Sequence, residues 1–273
     1  MGYWQIAIDR PILVLIRYSV LSYKTLGWRL NRDNDICEYK KILFNDNRLA
    51  ERLKGFKNIV LPSLMAQTIR LDPNMFRIIV LTSNELPIAH LNALRSTLAP
   101  YKWANIHQIP ADISVGAEFQ NISSQTLIDM GIKIGPYASV RLDDDDALSR
   151  GYFERLSKYI TTDNLGKVVS FPLGYLGKYD HDEQRYTSFA MHDEDFTAQG
   201  LASICHFDGK RVDGTIFSFG NHTKIAVNHP YILDRLGRFY IWSIYPSQDT
   251  RGRGWREVTT INEENVRIDF EFK

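Results

Sequence analysis

The sequence predicts an α/β fold in which a mainly parallel sheet is flanked by helices and followed by a mixed, loop-rich half. Three observations carry this reading. Short β-rich apolar runs alternate with helical patterns as far as Leu148. Apolar residues make up 44% of the chain and charged residues 24%, the profile of a globular protein with a sizeable core. After Ile160 the alternation lapses, and aromatic residues, glycines and histidines become frequent. We divide the expected single domain into residues 1–148, residues 149–247 and a C-terminal arm from Gln248.

The elements follow in order. Ile12–Val20 is a buried strand. Tyr23–Asp35 is a polar loop that carries Trp28, Arg29 and Arg32. From Glu38 to Gln67, Leu49, Leu53, Phe56, Val60 and Leu64 recur at three- and four-residue steps, which makes one apolar helical stripe. Pro62 should kink or break that helix near its end. Phe76–Leu81 is a second buried strand and Pro87–Leu98 a helix. Asn105–Ile109 is a short strand, and Ser124–Met130 a helix stopped by Gly131. Tyr137–Leu142 is the fourth strand and Gly151–Ile160 the next helix. Lys167–Phe171 and Thr215–Phe219 read as further strands.

The segment Ala138-Ser-Val-Arg-Leu-Asp-Asp-Asp-Asp-Ala-Leu148 carries the chemistry. Four carboxylates, Asp143 to Asp146, stand where the strand leaves the sheet. Like charges this close repel, so a fold needs a reason to gather them. A divalent cation is the simplest, because hard oxygen ligands suit magnesium, manganese or calcium. Parallel sheets bind ligands beyond the C-terminal ends of their strands, where these aspartates fall.

Composition excludes several classes. A formal net charge of +1 argues against nucleic acid as a partner. The longest apolar run, Pro11–Ile16, is far too short to span a membrane. The first residues lack the order of a signal peptide, so a cytoplasmic protein is expected. Two cysteines, Cys37 and Cys205, have no metal-ligand spacing and read as reduced thiols.

The aspartate run resembles the Asp-x-Asp motif of nucleotide-sugar glycosyltransferases with the GT-A fold. More closely, the chain resembles the rhamnosyltransferase family of bacterial surface-polysaccharide clusters. The matching segments are Arg17-Tyr-Ser, Gly27-Trp-Arg, Leu61-Pro-Ser-Leu-Met-Ala-Gln-Thr68, Val80-Leu-Thr-Ser-Asn-Glu-Leu-Pro87, Arg141–Leu148 and Gly200-Leu-Ala202. The resemblance implies a metal-dependent transferase with manganese or magnesium as cofactor. The implied donor is a nucleotide-sugar such as dTDP-rhamnose, and the implied acceptor a glycan or lipid-linked glycan. It places the enzyme in the cytoplasm or at the periphery of the inner membrane. One feature departs from the wider pattern. Thr82-Ser-Asn84 stands where an Asp usually contacts the nucleobase, which leaves the nucleotide open.

On this resemblance Asp143 reaches the donor's ribose or sugar, Asp145 holds the metal and Asp146 completes the set, while Asp144 faces away. The spacing suits a strand, in which residues i and i+2 point the same way. A solvated acidic turn is the bland alternative. Arg17, Arg29 and Arg32 are candidates for the nucleotide and its diphosphate, since a guanidinium fork matches phosphate; surface ion pairing is the alternative. An inverting transfer needs a base, sought in Asp193, Glu194 and Asp195, with Asp208 and Asp213 in reserve. His222 or His229 is the candidate late metal ligand. Tyr240, Trp242 and Tyr245 form either a sugar-stacking wall or core. Two other classes compete: a metal-dependent phosphoesterase or nucleotidyltransferase, and a non-catalytic carbohydrate- or calcium-binding domain.

Overall fold

Continuous runs of β-branched and aliphatic residues build the middle of a seven-stranded sheet. The structure is a computed structural model and describes residues 6–23, 36–246, 248 and 261–272. In chain order the elements are β1 (Ile6–Ala7), β2 (Ile12–Tyr18), α1 (Ile36–Leu43), α2 (Asp46–Gly55), α3 (Leu61–Met65), β3 (Ile69–Arg70) and β4 (Phe76–Ser83). Then come α4 (Ile88–Leu98), β5 (Ala104–Ile109), α5 (Val115–Asp129), β6 (Gly135–Asp143), β7 (Ala147–Leu148) and α6 (Tyr152–Ser157). The later part holds β8 (Val168–Ser170), β9 (Leu173–Asp180), β10 (Arg185–Asp193), β11 (Ala202–Phe207), α7 (Ile225–Asn228), β12 (Tyr231–Leu233), β13 (Tyr240–Ile244) and α8 (Glu263–Arg267).

The large sheet has the order β12-β8-β11-β6-β2-β4-β5. β6, β2, β4 and β5 are mutually parallel, and β8 and β12 are parallel to each other. Only β11 runs against its neighbours β6 and β8. This is the mainly parallel sheet that the alternation from Ile12 to Leu142 predicts, and its three expected central strands are adjacent. Both faces of β2 and β4 are covered, which is why their sequences read as unbroken apolar runs. Ile12, Val14 and Ile16 face one core cluster, and Leu13 and Leu15 face another.

The expected long helix has two departures. It is interrupted after Leu43, where Asn45 caps α2 by accepting from the backbone N–H groups of Asn47 and Arg48 at 3.1 and 3.2 Å. It also passes through Pro62 rather than breaking there. The preceding turn, Phe56–Val60, widens to a π-helix, and Leu61 N–H bonds five residues back to Phe56 O. The wider turn accommodates the proline, and the helix runs on to Met65.

The second half corrects the expectation most. A four-stranded sheet, β10-β9-β13-β7, contains a long antiparallel hairpin that the composition does not announce. Glycines permit its packing: a Cβ at Gly174 would lie 2.5 Å from the Tyr240 ring, and one at Gly177 would lie 2.6 Å from the Tyr186 ring. The expected strand Thr215–Phe219 is instead a 3₁₀ helix, Ile216–Phe219. Thr215 N–H donates to Ser218 Oγ and Ile216 N–H to Ser139 Oγ, each at 3.0 Å, so local side chains take the donors a ladder would need.

Of the two forms open to the C-terminal stretch, a mobile arm or an edge element, its described part takes the second. Ile261 bridges to Phe189, and Val266, Phe270 and Phe272 are buried against Tyr175, Tyr186 and Phe189. Cys37 and Cys205 are both free thiols. Among the described residues, no helix is long and apolar enough to cross a membrane.

Phe270→Ala should therefore cost about 3–5 kcal/mol of stability, as large-to-small changes in a packed core do. Urea unfolding checks this, and a loss below about 1 kcal/mol would mean that the tail is not part of the core.

Candidate active site

A cavity of about 320 Å³ opens beyond the C-terminal ends of β2 and β6. Arg17, Ser19 and Val20 line it from β2 and its exit, and Arg141 and Asp143–Asp146 from β6 and the turn after it. Arg48 and Arg52 enter from α2, and Glu194, Gln199, His222 and Trp242 close the other side. Chain reversal at the exit of β2 uses Ser19 in the left-handed region, φ 48°, which is uncommon for a residue other than glycine.

β6 ends at Asp143 and a tight turn follows, yet exposure still alternates: Asp143 and Asp145 are partly exposed, and Asp144 and Asp146 are buried. All four border the cavity, Asp144 only through a buried side chain held by Arg52. Each has its own environment. Asp143 meets Arg141 at 3.3 Å and Arg17 at 3.6 Å. Burial opposes its charge, but the two guanidinium groups prevail and hold its carboxyl down to about 2. Asp144 is buried, and one oxygen accepts from Arg52. Its Oδ2 is buried without a hydrogen-bond partner. Burial outweighs Arg52, the charge of Asp145 adds to it, and the Asp144 carboxyl is pushed up to about 7.

Asp145 accepts from the Tyr245 hydroxyl at 2.5 Å and stands 3.7 Å from Arg52. Asp146 uses both oxygens on the protein: Ser243 N–H donates to Oδ1 and Gln199 Nε2 to Oδ2, each at 2.9 Å. Burial and the neighbouring aspartates push its carboxyl well above the ordinary range. Asp146 thus ties the acidic turn to β13.

The arginines are as informative as the aspartates. Arg48 and Arg52 are four residues apart on α2, one turn above each other on the same face. Arg48 donates to Leu43 O at 2.9 Å and to Ser19 Oγ at 3.3 Å, which binds the helix to the β2 exit. Arg17 and Arg141 lie over the Phe217 ring at 5.4 and 5.7 Å, and Phe217 stacks on Phe119. Burial, followed by repulsion from Arg141, lowers the Arg17 guanidinium to about 10.

The remaining sequence candidates divide. Asp193 and Asp195 sit on the surface in ion pairs with Arg235 and do not line the cavity. Glu194 between them does line it, with its side chain 50% exposed. His222 reaches the cavity from a 3₁₀ turn, whereas His229 packs on Phe219, 4.8 Å between rings. Asp208 and Asp213 cap the turn after β11. Of the aromatic wall, Trp242 lines the cavity, Tyr245 serves Asp145 and Tyr240 is core. Trp28, Arg29 and Arg32 lie outside the described residues. Arg48, Arg52, Arg141 and Gln199 were not anticipated; the i,i+4 spacing of the first two was the available signal.

The family model described as "Putative rhamnosyl transferase" matches residues 11–253. The chain belongs to this family. A solved structure similar in fold is that of S. aureus TarS 1-349 in complex with UDP-GlcNAc, at 8% sequence identity and a TM-score of 0.44. The alignment covers 90% of this chain and 62% of that one, so the chain spans less than two thirds of the TarS fragment. No curated protein matches the chain. In this rhamnosyl transferase family member, Thr82–Asn84 contributes nothing to the cavity lining. The nucleobase position expected after the second strand is therefore not part of the described cavity.

Arg52→Met should cost about 3–5 kcal/mol, because it strips a buried carboxylate of its partner. Asp144→Asn added to it should restore most of the loss. Chemical denaturation of the three variants measures this coupling, and simple additivity would show that the pair is not the support of the turn.

Proposed function

We propose that this protein transfers a sugar from a nucleoside-diphosphate-sugar to a hydroxyl of a glycan acceptor. The observation that carries the proposal is the gathering of four aspartates and four arginines, Arg17, Arg48, Arg52 and Arg141, in the lining of one cavity at the ends of β2 and β6. Guanidinium groups match phosphate oxygens in charge and geometry. Membership of the rhamnosyl transferase family supports rhamnose as the transferred sugar, with dTDP-rhamnose the first donor to try. Our reading extends to a glycan or lipid-linked glycan acceptor, and to a place in bacterial surface-polysaccharide synthesis in the cytoplasm or at the inner-membrane face.

A divalent cation fits this donor set. Among the described residues no three acidic, histidine or cysteine side chains converge on one point. Magnesium, however, is commonly held by one or two carboxylates together with substrate phosphates. The buried, unpartnered Oδ2 of Asp144 is an oxygen donor beside Asp145. Asp144 and Asp145 would hold the metal, with Asp143 directed by its arginines to the donor and His222 within the same cavity. Magnesium or manganese there would neutralise charge on the departing diphosphate.

The protein's own groups do the rest. Arg17, Arg48, Arg52 and Arg141 bind and orient the diphosphate, and stabilise the charge that gathers on it as the anomeric bond breaks. Glu194 is the carboxylate of the 193–195 segment available to the cavity, so it takes the acceptor hydroxyl's proton in an inverting transfer. Trp242 offers its ring to the acceptor sugar. Asp146 is a structural tie, since both its oxygens are engaged.

The test is release of nucleoside diphosphate from dTDP-rhamnose and a panel of other nucleotide-sugars with manganese present. Asp145→Ala should lower turnover by about 10²-fold or more, as when a main electrostatic stabiliser is lost. Parent-like turnover in that variant would refute the role of the acidic turn.

A further inference from the structure

We infer that Phe217 is a positioning residue for diphosphate binding, its ring a platform that holds the guanidinium groups of Arg17 and Arg141 together at the cavity. This rests on the proposed role of those two arginines in binding a nucleoside diphosphate.

Register brings the arginines together. β2 and β6 are parallel neighbours in which Leu13 pairs with Ser139, Leu15 with Arg141 and Arg17 with Asp143. Residues two apart on a strand point to the same face. Leu13, Leu15 and Arg17 therefore share one face of the sheet with Ser139, Arg141 and Asp143. Leu13 and Leu15 pack in one core cluster with Phe119 of α5 and with Ile216. Arg17 and Arg141 are the charged continuation of that face.

Phe217 reaches the same face from the 3₁₀ helix Ile216–Phe219. Ile216 N–H donates to Ser139 Oγ at 3.0 Å, which fixes the short helix to β6 two residues before Arg141. Phe119 stacks on the Phe217 ring, with centroids 4.7 Å apart and planes at 18°. Phe119 is fully buried, so the core itself holds the platform in place.

The ring answers an electrostatic problem. Two positive groups meet one carboxylate, and they meet it loosely. Arg17 Nη2 stands 3.6 Å from Asp143 Oδ1, and Arg141 approaches the same carboxylate at 3.3 and 3.4 Å. A tight charge-assisted bond would measure about 2.7–2.9 Å, so Asp143 alone clamps neither group. Burial, and then repulsion from Arg141, lower the Arg17 guanidinium. The negative face of an aromatic ring attracts cations and takes up none of their N–H donors. The guanidinium carbons lie over the Phe217 ring at 5.4 and 5.7 Å from its centroid. Both distances are within the reach of that attraction, about 6 Å. A stacked guanidinium keeps its N–H edge for phosphate oxygens.

Phe217 is not among the residues that line the cavity, so it acts through the arginines. Without the ring, the two groups would have to be ordered, and their repulsion overcome, at the moment of binding. That ordering would be subtracted from the affinity.

Two measurements on the full chain test the inference. In ¹H–¹⁵N spectra of arginine-labelled protein, Arg17 and Arg141 are assigned from their loss in Arg17→Lys and Arg141→Lys. The Nε–H signals of both should be displaced by the ring current of Phe217. The displacement should vanish in Phe217→Leu and persist in Phe217→Tyr, which keeps the aromatic face. The reading on the parent needs no replacement of Phe217, so it stands even where the leucine variant does not fold. In calorimetric titration with dTDP, Phe217→Leu should bind about 10-fold more weakly, within the roughly 5- to 30-fold that two such contacts supply together. Phe217→Tyr should bind as the parent does. In an Arg141→Met background the leucine replacement should cost only about 3-fold, because one of the two contacts is already gone. Undisplaced arginine signals in the parent, parent-like affinity in Phe217→Leu, equal losses in the leucine and tyrosine variants, or an undiminished loss beside Arg141→Met would each overturn the inference. A parent that shows the displaced signals and binds neither dTDP nor UDP would refute the nucleotide reading. A parent that binds dTDP with undisplaced signals would refute the platform alone.

Discussion

The fold is organised around the cost of gathering four successive carboxylates at one strand end, two of them buried. In low dielectric, an unpaired carboxylate would stay protonated or force the turn open. Here each has a different solution: two arginines for Asp143, one arginine for Asp144, a tyrosine hydroxyl for Asp145, and an amide with a backbone N–H for Asp146. The partners come from β2, α2, β6, the segment before β11, and β13 with its exit. The acidic turn therefore joins the large sheet, the first long helix and the smaller sheet at one place. A cavity with both signs of charge results, which is what a diphosphate-bearing ligand and a divalent cation require together.

The smaller sheet has a matching duty. β13 pairs with β7, which follows the aspartates directly, and with β9 of the hairpin whose end carries His192 and Glu194. A shift in the β13 register would move Ser243 away from Asp146 and Trp242 away from the cavity. The glycines at 174 and 177 allow the Tyr240 and Tyr186 rings to lie against the hairpin. The C-terminal phenylalanines close its far side. In this way the half that departs from strand–helix alternation sets the position of the carboxylate opposite the acidic turn.

Much of this was legible in the residues. β2, β4 and β6 were readable because strands buried on both faces leave continuous apolar runs, and the acidic run is too costly to be idle. The hairpin was not readable. Leu173–Asp180 and Arg185–Asp193 mix glycine, tyrosine and charge, because the space over Gly174 is filled by Tyr240 of β13 and that over Gly177 by Tyr186 of the hairpin itself. Thr215–Phe219 has strand composition, but Ser218 and Ser139 take its backbone donors. Asp193, Glu194 and Asp195 are indistinguishable as types; Arg235, remote in sequence, separates them. Arg29 and Arg32 fall outside the described residues.

The central claim is that the arginine–aspartate cavity holds a nucleoside diphosphate. Calorimetric titration of the protein with dTDP and UDP, each with and without manganese, tests it most directly. The account predicts binding of at least one of them, strengthened by manganese, with the monophosphate much weaker and with affinity lost in Arg17→Ala. Absence of binding to both diphosphates, or equal affinity for mono- and diphosphate without any effect of manganese or of Arg17→Ala, would contradict it.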